Sequence, residues 1–120
     1  MATILVVDDS ASMRRMVTLV LEDAGFSVLE SHDGADALAK AQAETVDAVL
    51  TDVNMPVMDG IELVRALREL PAYKFTPMIM LTTVTSSDKK SDGKAAGATG
   101  WIIKPFSPAQ LLNIIQRILS

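Results

Sequence analysis

Five side chains able to do metal or phosphate chemistry come directly after short apolar runs. Asp8 and Asp9 follow Thr3–Val7, Asp52 ends the run through Val49 and Leu50, Thr82 follows Met78–Leu81, and Lys104 follows Thr99–Ile103. If those runs are parallel strands, all five groups meet at the carboxyl edge of one sheet, where open α/β sheets hold their ligands. Three carboxylates in one place repel one another. Each like pair at ~4 Å costs about 4 kcal/mol at an effective dielectric of about 20. Lys104 supplies one offsetting charge. A hard divalent cation would supply two, and Mg²⁺ prefers oxygen ligands while keeping several waters. A carboxylate beside Mg²⁺ and an ammonium group is suited to accept a phosphoryl group, because that reaction is chiefly a task of positioning and charge neutralisation. A hydroxyl at Thr82 could then donate to a new phosphoryl oxygen.

Taken singly, each residue has a plainer reading. Asp8 and Asp9 could be an acid pair at a helix N-terminus, Asp52 a loop acid or cap, Thr82 a turn residue and Lys104 a solvated charge. His32 reads as a surface residue, and the methionines as core filler. The joint pattern carries the chemistry: acids after the first and third runs, a hydroxyl after the fourth, a lysine-proline after the fifth.

Such a convergence requires a particular set of elements. Thr3–Val7 is a β-branched and leucine run, expected as a buried first strand. Ser10 or Ser12 can cap the next helix, whose apolar stripe is Met13, Met16, Val17, Val20, Leu21 and Ala24, with Gly25 ending it. A second strand from Phe26 to about Ser31 meets a turn at Asp33-Gly34. The helix after it has a thin core side of Ala37, Leu38 and Ala41, with Lys40 facing out. The third strand lies within Val46–Asp52. Ile61, Val64 and Leu67 line a third helix that closes at Leu70-Pro71. Met78–Leu81 is a fully apolar fourth strand. The polar segment from Ser86 to Gly97 reads as a weak helix, since Gly93 interrupts it and Ala95 and Ala96 alone offer burial. Ser107 and Pro108 open a last helix with stripe Leu111, Ile114, Ile115 and Ile118. Five strands alternating with five helices call for an α/β fold, a parallel sheet covered on both faces with right-handed crossovers.

Bulk composition narrows the function classes. The chain has 120 residues, of which 49% are hydrophobic, so it can bury a core. No apolar run approaches the roughly 18 residues of a membrane span. Strand-like residues at the N-terminus run straight into two acids, which does not resemble a signal peptide. Without cysteine there is no disulfide or thiolate metal site, as fits a cytoplasmic location. A net charge of −4 argues against nucleic acid and leaves a metal cation or a basic protein patch as partners.

At this level the sequence resembles the receiver domain of two-component response regulators, and within it the stand-alone chemotaxis type. The matching stretches are Val-Val-Asp-Asp at 6–9, Ser-Met-Arg-Arg at 12–15, Asp-Val-Asn-Met-Pro-Val-Met-Asp-Gly at 52–60, Met-Leu-Thr at 80–82 and Lys-Pro-Phe at 104–106. The resemblance implies one receiver domain over residues 1–120, with a flavodoxin-like (βα)5 fold of strand order 2-1-3-4-5. It implies that Asp52 accepts phosphate from a sensor histidine kinase, and that Mg²⁺ is held by Asp9, Asp52 and the backbone carbonyl of Asn54, with Asp8 acting through a water. It further implies that Thr82 is the switch hydroxyl, that Lys104 pairs with the phosphoryl group, and that the Lys104–Pro105 bond is cis. The output would be a target protein bound through helix four, strand five and helix five, by a cytoplasmic monomer that neither binds nucleic acid nor enters a membrane.

The chain departs from the family's common pattern at two places. Trp101 stands where Tyr or Phe is usual, at the ring that swings inward on activation. Thr83 stands where a small residue is usual, and its bulk is expected to slow access to Asp52. Asn54 and Val84 occupy positions that modulate hydrolysis in relatives. Two competing readings remain. One is a small aspartyl-phosphate-forming phosphatase of haloacid-dehalogenase type, whose nucleophile would follow strand one in an Asp-x-Asp pattern; here that place reads Asp-Asp-Ser. The other is a receiver cut from a longer regulator.

Overall fold

The computed structural model describes residues 2–83 and 87–119, and only the backbone of residues 87–90. Val84 and Ser86, named above, lie outside the described residues. The strands are β1 (Thr3–Val7), β2 (Ser27–Ser31), β3 (Ala48–Asp52), β4 (Met78–Thr82) and β5 (Gly100–Ile103). The helices are α1 (Ala11–Asp23), α2 (Gly34–Ala43), α3 (Gly60–Arg68), α4 (Ser87–Ala96) and α5 (Pro108–Leu119). All strand pairs are parallel, in the order β2-β1-β3-β4-β5 that the resemblance implied. The fold is flavodoxin-like.

Side-chain alternation along the strands divides the core into two layers. Ile4, Val6, Ala48, Leu50, Ile79, Leu81 and Ile102 face α1 and α5, meeting Val17, Leu21, Leu111 and Ile115. Leu5, Val7, Val49, Met78 and Met80 face the other way, toward Ala37 and Ala41 of α2, Val64 and Leu67 of α3, and Ala96 of α4. Both faces being covered, the central strands are apolar through their middles and turn polar only near their ends, as befits a parallel sheet.

Local chemistry sets the helix ends. Ser10, rather than Ser12, caps α1 by accepting from the Met13 N–H, and Gly25 after it takes a left-handed φ of 97°. Asp33 caps α2, and Asp59 forms a reciprocal capping box with Glu62 at the start of α3. Ser107 and Gln110 do the same at α5: the Ser107 hydroxyl accepts from the Gln110 N–H, and the Gln110 side chain accepts from the Ser107 N–H.

Three details differ from the sequence expectation. Lys40 folds back to donate to the Glu30 carbonyl and pairs with Asp36 at 3.1 Å. Ala95 is exposed, so α4 offers Ala96 and the glycine face to the core. The third helix ends at Arg68, and Pro71–Tyr73 forms a single 3₁₀ turn that delivers Tyr73 into the core, 2% exposed. The Tyr73 hydroxyl donates to the Ala41 carbonyl at 2.5 Å, with the Glu44 carbonyl as a second acceptor at 2.9 Å, and accepts from the Val46 N–H. Arg68 locks the neighbouring corner by donating to the Gly97 carbonyl at 2.8 Å and the Tyr73 carbonyl at 2.7 Å. Removing the hydroxyl strands a buried N–H and two carbonyls, so Tyr73→Phe is expected to lower unfolding free energy by about 1–3 kcal/mol in urea titration; a loss under a few tenths would show that these groups are satisfied without it.

Candidate functional site

Parallel strands deliver their carboxyl ends to one edge, and the loops there hold the predicted chemistry. Asp8 leaves β1 with its N–H bonded to the Ser31 carbonyl at 3.1 Å. Asp52 is the last residue of β3. Its neighbour Val53 stays attached to the sheet through the Leu81 carbonyl at 3.2 Å, and the Gly60 N–H returns to the Val53 carbonyl at 2.9 Å. That return requires glycine: a Cβ at position 60 would lie 2.2 Å from the Asp52 carbonyl oxygen. Gly34, opening α2, gives similar room to the Met58 carbonyl, which would be 2.6 Å from a Cβ there. Between these two contacts the Met58 N–H bonds the Pro56 carbonyl at 2.8 Å across Val57, whose φ of 70° is uncommon for a β-branched residue. The loop after Asp52 is held in one tight shape, with the Val57 side chain 81% exposed.

Asp8, Asp9 and Asp52 each offer a carboxylate oxygen within 4.8 Å of the others. Asp8 is 1% exposed, Asp52 9% exposed and Asp9 exposed. Lys104 bridges the two buried acids, its Nζ lying 3.3 Å from Asp8 Oδ2 and 3.4 Å from Asp52 Oδ1. Asp8 Oδ1 accepts from the Ser10 N–H at 2.9 Å, so both oxygens of the most buried acid are engaged. The Lys104 N–H bonds the Thr82 carbonyl at 2.8 Å, which ties the base of the lysine to the end of β4, and Lys104–Pro105 is cis. Thr82 is fully buried beside it.

Burial, above all, pushes the Asp52 carboxyl above the ordinary range; Lys104 pulls it back, and the Asp8 charge adds to the rise. The donor set is wholly oxygen, anionic and open to water on the Asp9 side. That fits a hard divalent cation such as Mg²⁺.

The remaining expectations fall as follows. Asn54 is exposed on the loop two residues beyond Asp52, and Thr83 is exposed beyond Thr82. Trp101 stands apart from the acids, half-buried in β5 on the face toward α3 and α4. One residue had no role in the sequence reading. Arg14, one turn into α1, donates from Nη1 to the Asp8 carbonyl at 2.7 Å, and its Nε pairs with Glu30 at 3.3 Å. It grips the peptide joining the two adjacent acids. Only the three-dimensional return of α1 over β1 reveals this.

Comparison with known proteins decides what this arrangement is. The response regulator receiver domain model matches residues 4–116. The chain belongs to that family. A high-resolution structure of the Vibrio cholerae chemotaxis protein CheY4 superposes with a TM-score of 0.96 at 56% identity, covering 99% of each chain. The Pseudomonas aeruginosa chemotaxis protein CheY is 38% identical over 116 residues, 96% of this chain and 94% of that one. The Bacillus subtilis transcriptional regulatory protein ResD is 39% identical over 116 residues, 97% of this chain and 47% of its own length, so the chain spans about half of that relative. Receiver domains are signalling modules, set by phosphorylation, that connect sensor kinases to downstream targets. In this receiver no helix among the described residues is long and apolar enough to cross a membrane.

The raised Asp52 carboxyl gives a test of the site's electrostatics. A folded-state value above the unfolded value of 3.8 means that ionised Asp52 opposes folding at neutral pH. The penalty is complete above the raised folded value and vanishes as pH falls below 3.8. Asp52→Asn is therefore expected to raise the melting temperature at pH 7 in chelator. The gain should shrink as pH is lowered toward 4. A destabilised Asp52→Asn chain at pH 7 would mean that the Lys104 contact outweighs burial.

Proposed function

We propose that this receiver is a phosphorylation-activated switch in which Asp52 accepts a phosphoryl group from the phosphohistidine of a sensor histidine kinase. The observation that carries the proposal is the Lys104 ammonium lying between Asp8 and Asp52, with Asp9 beside them. An Asp52 oxygen attacks phosphorus in line, the P–N bond breaks, and its electron pair leaves with an imidazole protonated on its other nitrogen. Asp9, Asp52 and the Asn54 carbonyl would hold Mg²⁺ directly, and Asp8 through a water. When bound, Mg²⁺ supplies neutralisation of the carboxylates and of the transferred oxygens. Lys104 follows the new negative charge, and the Thr82 hydroxyl donates to a phosphoryl oxygen. Hydrolysis by water later cleaves the acyl phosphate to phosphate and the Asp52 carboxylate, so the chain turns its own signal off without being an enzyme toward another substrate.

Phosphorylation adds up to about two negative charges at this edge. Movement of Thr82 toward them opens space that Trp101 enters, and the face of α4, β5 and α5 changes for its target. A few kcal/mol of differential stabilisation inverts such an equilibrium. Likeness to CheY proteins over nearly their whole length supports a chemotaxis output, acting as a cytoplasmic monomer of one domain. The match to ResD supports a second reading, in which the same receiver precedes a transcriptional output. The phosphatase reading would put the nucleophile at Asp9, against which stands the burial of Asp52 and its contact with Lys104.

Two readouts check the switch. Mg²⁺ at ten times its dissociation constant should raise the unfolding free energy by about 1.4 kcal/mol, and Asp9→Asn should remove that gain. Beryllofluoride with Mg²⁺ should change Trp101 fluorescence in the wild type and leave Asp52→Asn unchanged; a silent wild type would remove Trp101 as the reporter.

A further inference from the structure

Gly93 lies in the middle of α4, where glycine is a poor choice. Its backbone does not call for one, since the left-handed glycines of this chain are Gly25 and Gly97. The reason for it lies across the interface with the sheet. A Cβ at position 93 would stand 2.4 Å from Trp101 Cζ2, 2.6 Å from Cη2 and 3.5 Å from Cε2. Carbon atoms in ordinary contact are about 3.5–4.0 Å apart. The benzo edge of the indole therefore fills the volume of the missing methyl group. Gly93 is buried under that ring, and Trp101, paired with Met80 in the sheet, packs against the same core layer as α3.

We propose that Gly93 is the positioning residue for Trp101: a socket in α4 that receives the indole edge, so that the ring's rotamer and the seating of α4 are set together. The inference rests on the reading of Trp101 as the moving ring and extends it. A ring wider than Phe or Tyr is accommodated by the helix opposite, not by the strand that carries it. When the indole leaves, it opens a methyl-sized hollow at Gly93, and α4 can close toward β5 only then. The state of the ring thus reaches the face proposed for the output through contact with α4 itself. A side chain at 93 takes the seat away and displaces the ring from the start.

Helix propensity and the socket predict different results for Gly93→Ala. Propensity alone raises the folding equilibrium constant about four-fold in any background. The socket allows that gain only when the indole is absent. The experiment uses four chains: wild type, Gly93→Ala, Trp101→Leu, and the double variant. Urea unfolding is followed by far-UV circular dichroism, with Trp101 emission and acrylamide quenching read in the first two chains. The expected result is a gain of about four-fold from Gly93→Ala in the Trp101→Leu background, and no gain or a loss where Trp101 is kept. In Gly93→Ala the emission should move to longer wavelength, quenching should increase, and the beryllofluoride response should shrink. Labelling of Asp52 by acetyl phosphate should be kept. Equal gains in both backgrounds with unchanged emission would overturn the proposal. Should Gly93→Ala fail to fold, a folded double variant supports the socket and an unfolded one overturns it. A wild-type chain that takes up no phosphoryl group would instead defeat the reading of the site, and the four-chain comparison would still decide the socket.

Discussion

The ammonium group of Lys104, set between two buried carboxylates, is the contact on which the rest of the structure depends. Asp8 is almost wholly buried and Asp52 nearly so, and each lies within 3.4 Å of the same nitrogen. Removing the lysine would leave two buried carboxylates without compensation, a more costly state than never having buried them. One cation for three acids leaves the edge short of positive charge. The deficit adds to burial, the larger cause, in holding Asp52 above the ordinary carboxyl range despite its lysine. It also makes the site receptive to a further cation, which is the physical basis for proposing Mg²⁺ there.

The fold serves that contact by fixing backbone rather than side chains. Asp8, Asp52, Thr82 and Lys104 lie at or just beyond the ends of four neighbouring strands, so their relative positions follow from register. Hydrogen bonds from Val53 to Leu81 and from Lys104 to Thr82 carry that register past the strands into the loops. Gly60 and Gly34 let the backbone of the loop after Asp52 approach closer than any side chain would permit. Arg14 holds the Asp8 carbonyl from α1. Stiffness at the acids contrasts with the opposite arrangement at α4, whose described surface offers the core little besides Ala96 and a glycine.

The sequence revealed the site more fully than the details that support it. Residue type and position after an apolar run were enough to bring Asp8, Asp9, Asp52, Thr82 and Lys104 together, because a parallel sheet leaves few other places for them. Strand order was not legible from pattern, since periodicity does not say which strand neighbours which; it came with the family resemblance. Tyr73 was missed because a proline-started turn gave no periodic signal, although its ring fills the core. Arg14 looked like any helix-surface arginine, its partner being a backbone carbonyl that no sequence pattern marks. Gly93 was read as a weakness of its helix, and its purpose becomes visible only when the indole of a distant strand is seen in its place.

The central claim is that the buried, lysine-bridged Asp52 is a phosphoryl acceptor. It is tested most directly by incubating the pure chain with acetyl phosphate and Mg²⁺ and weighing it intact. The account predicts a mass gain of one phosphoryl group, labile to base and hydroxylamine, present in the wild type and absent in Asp52→Asn or without the metal. A wild-type chain that stays at its own mass, or an adduct that survives Asp52→Asn, would contradict it.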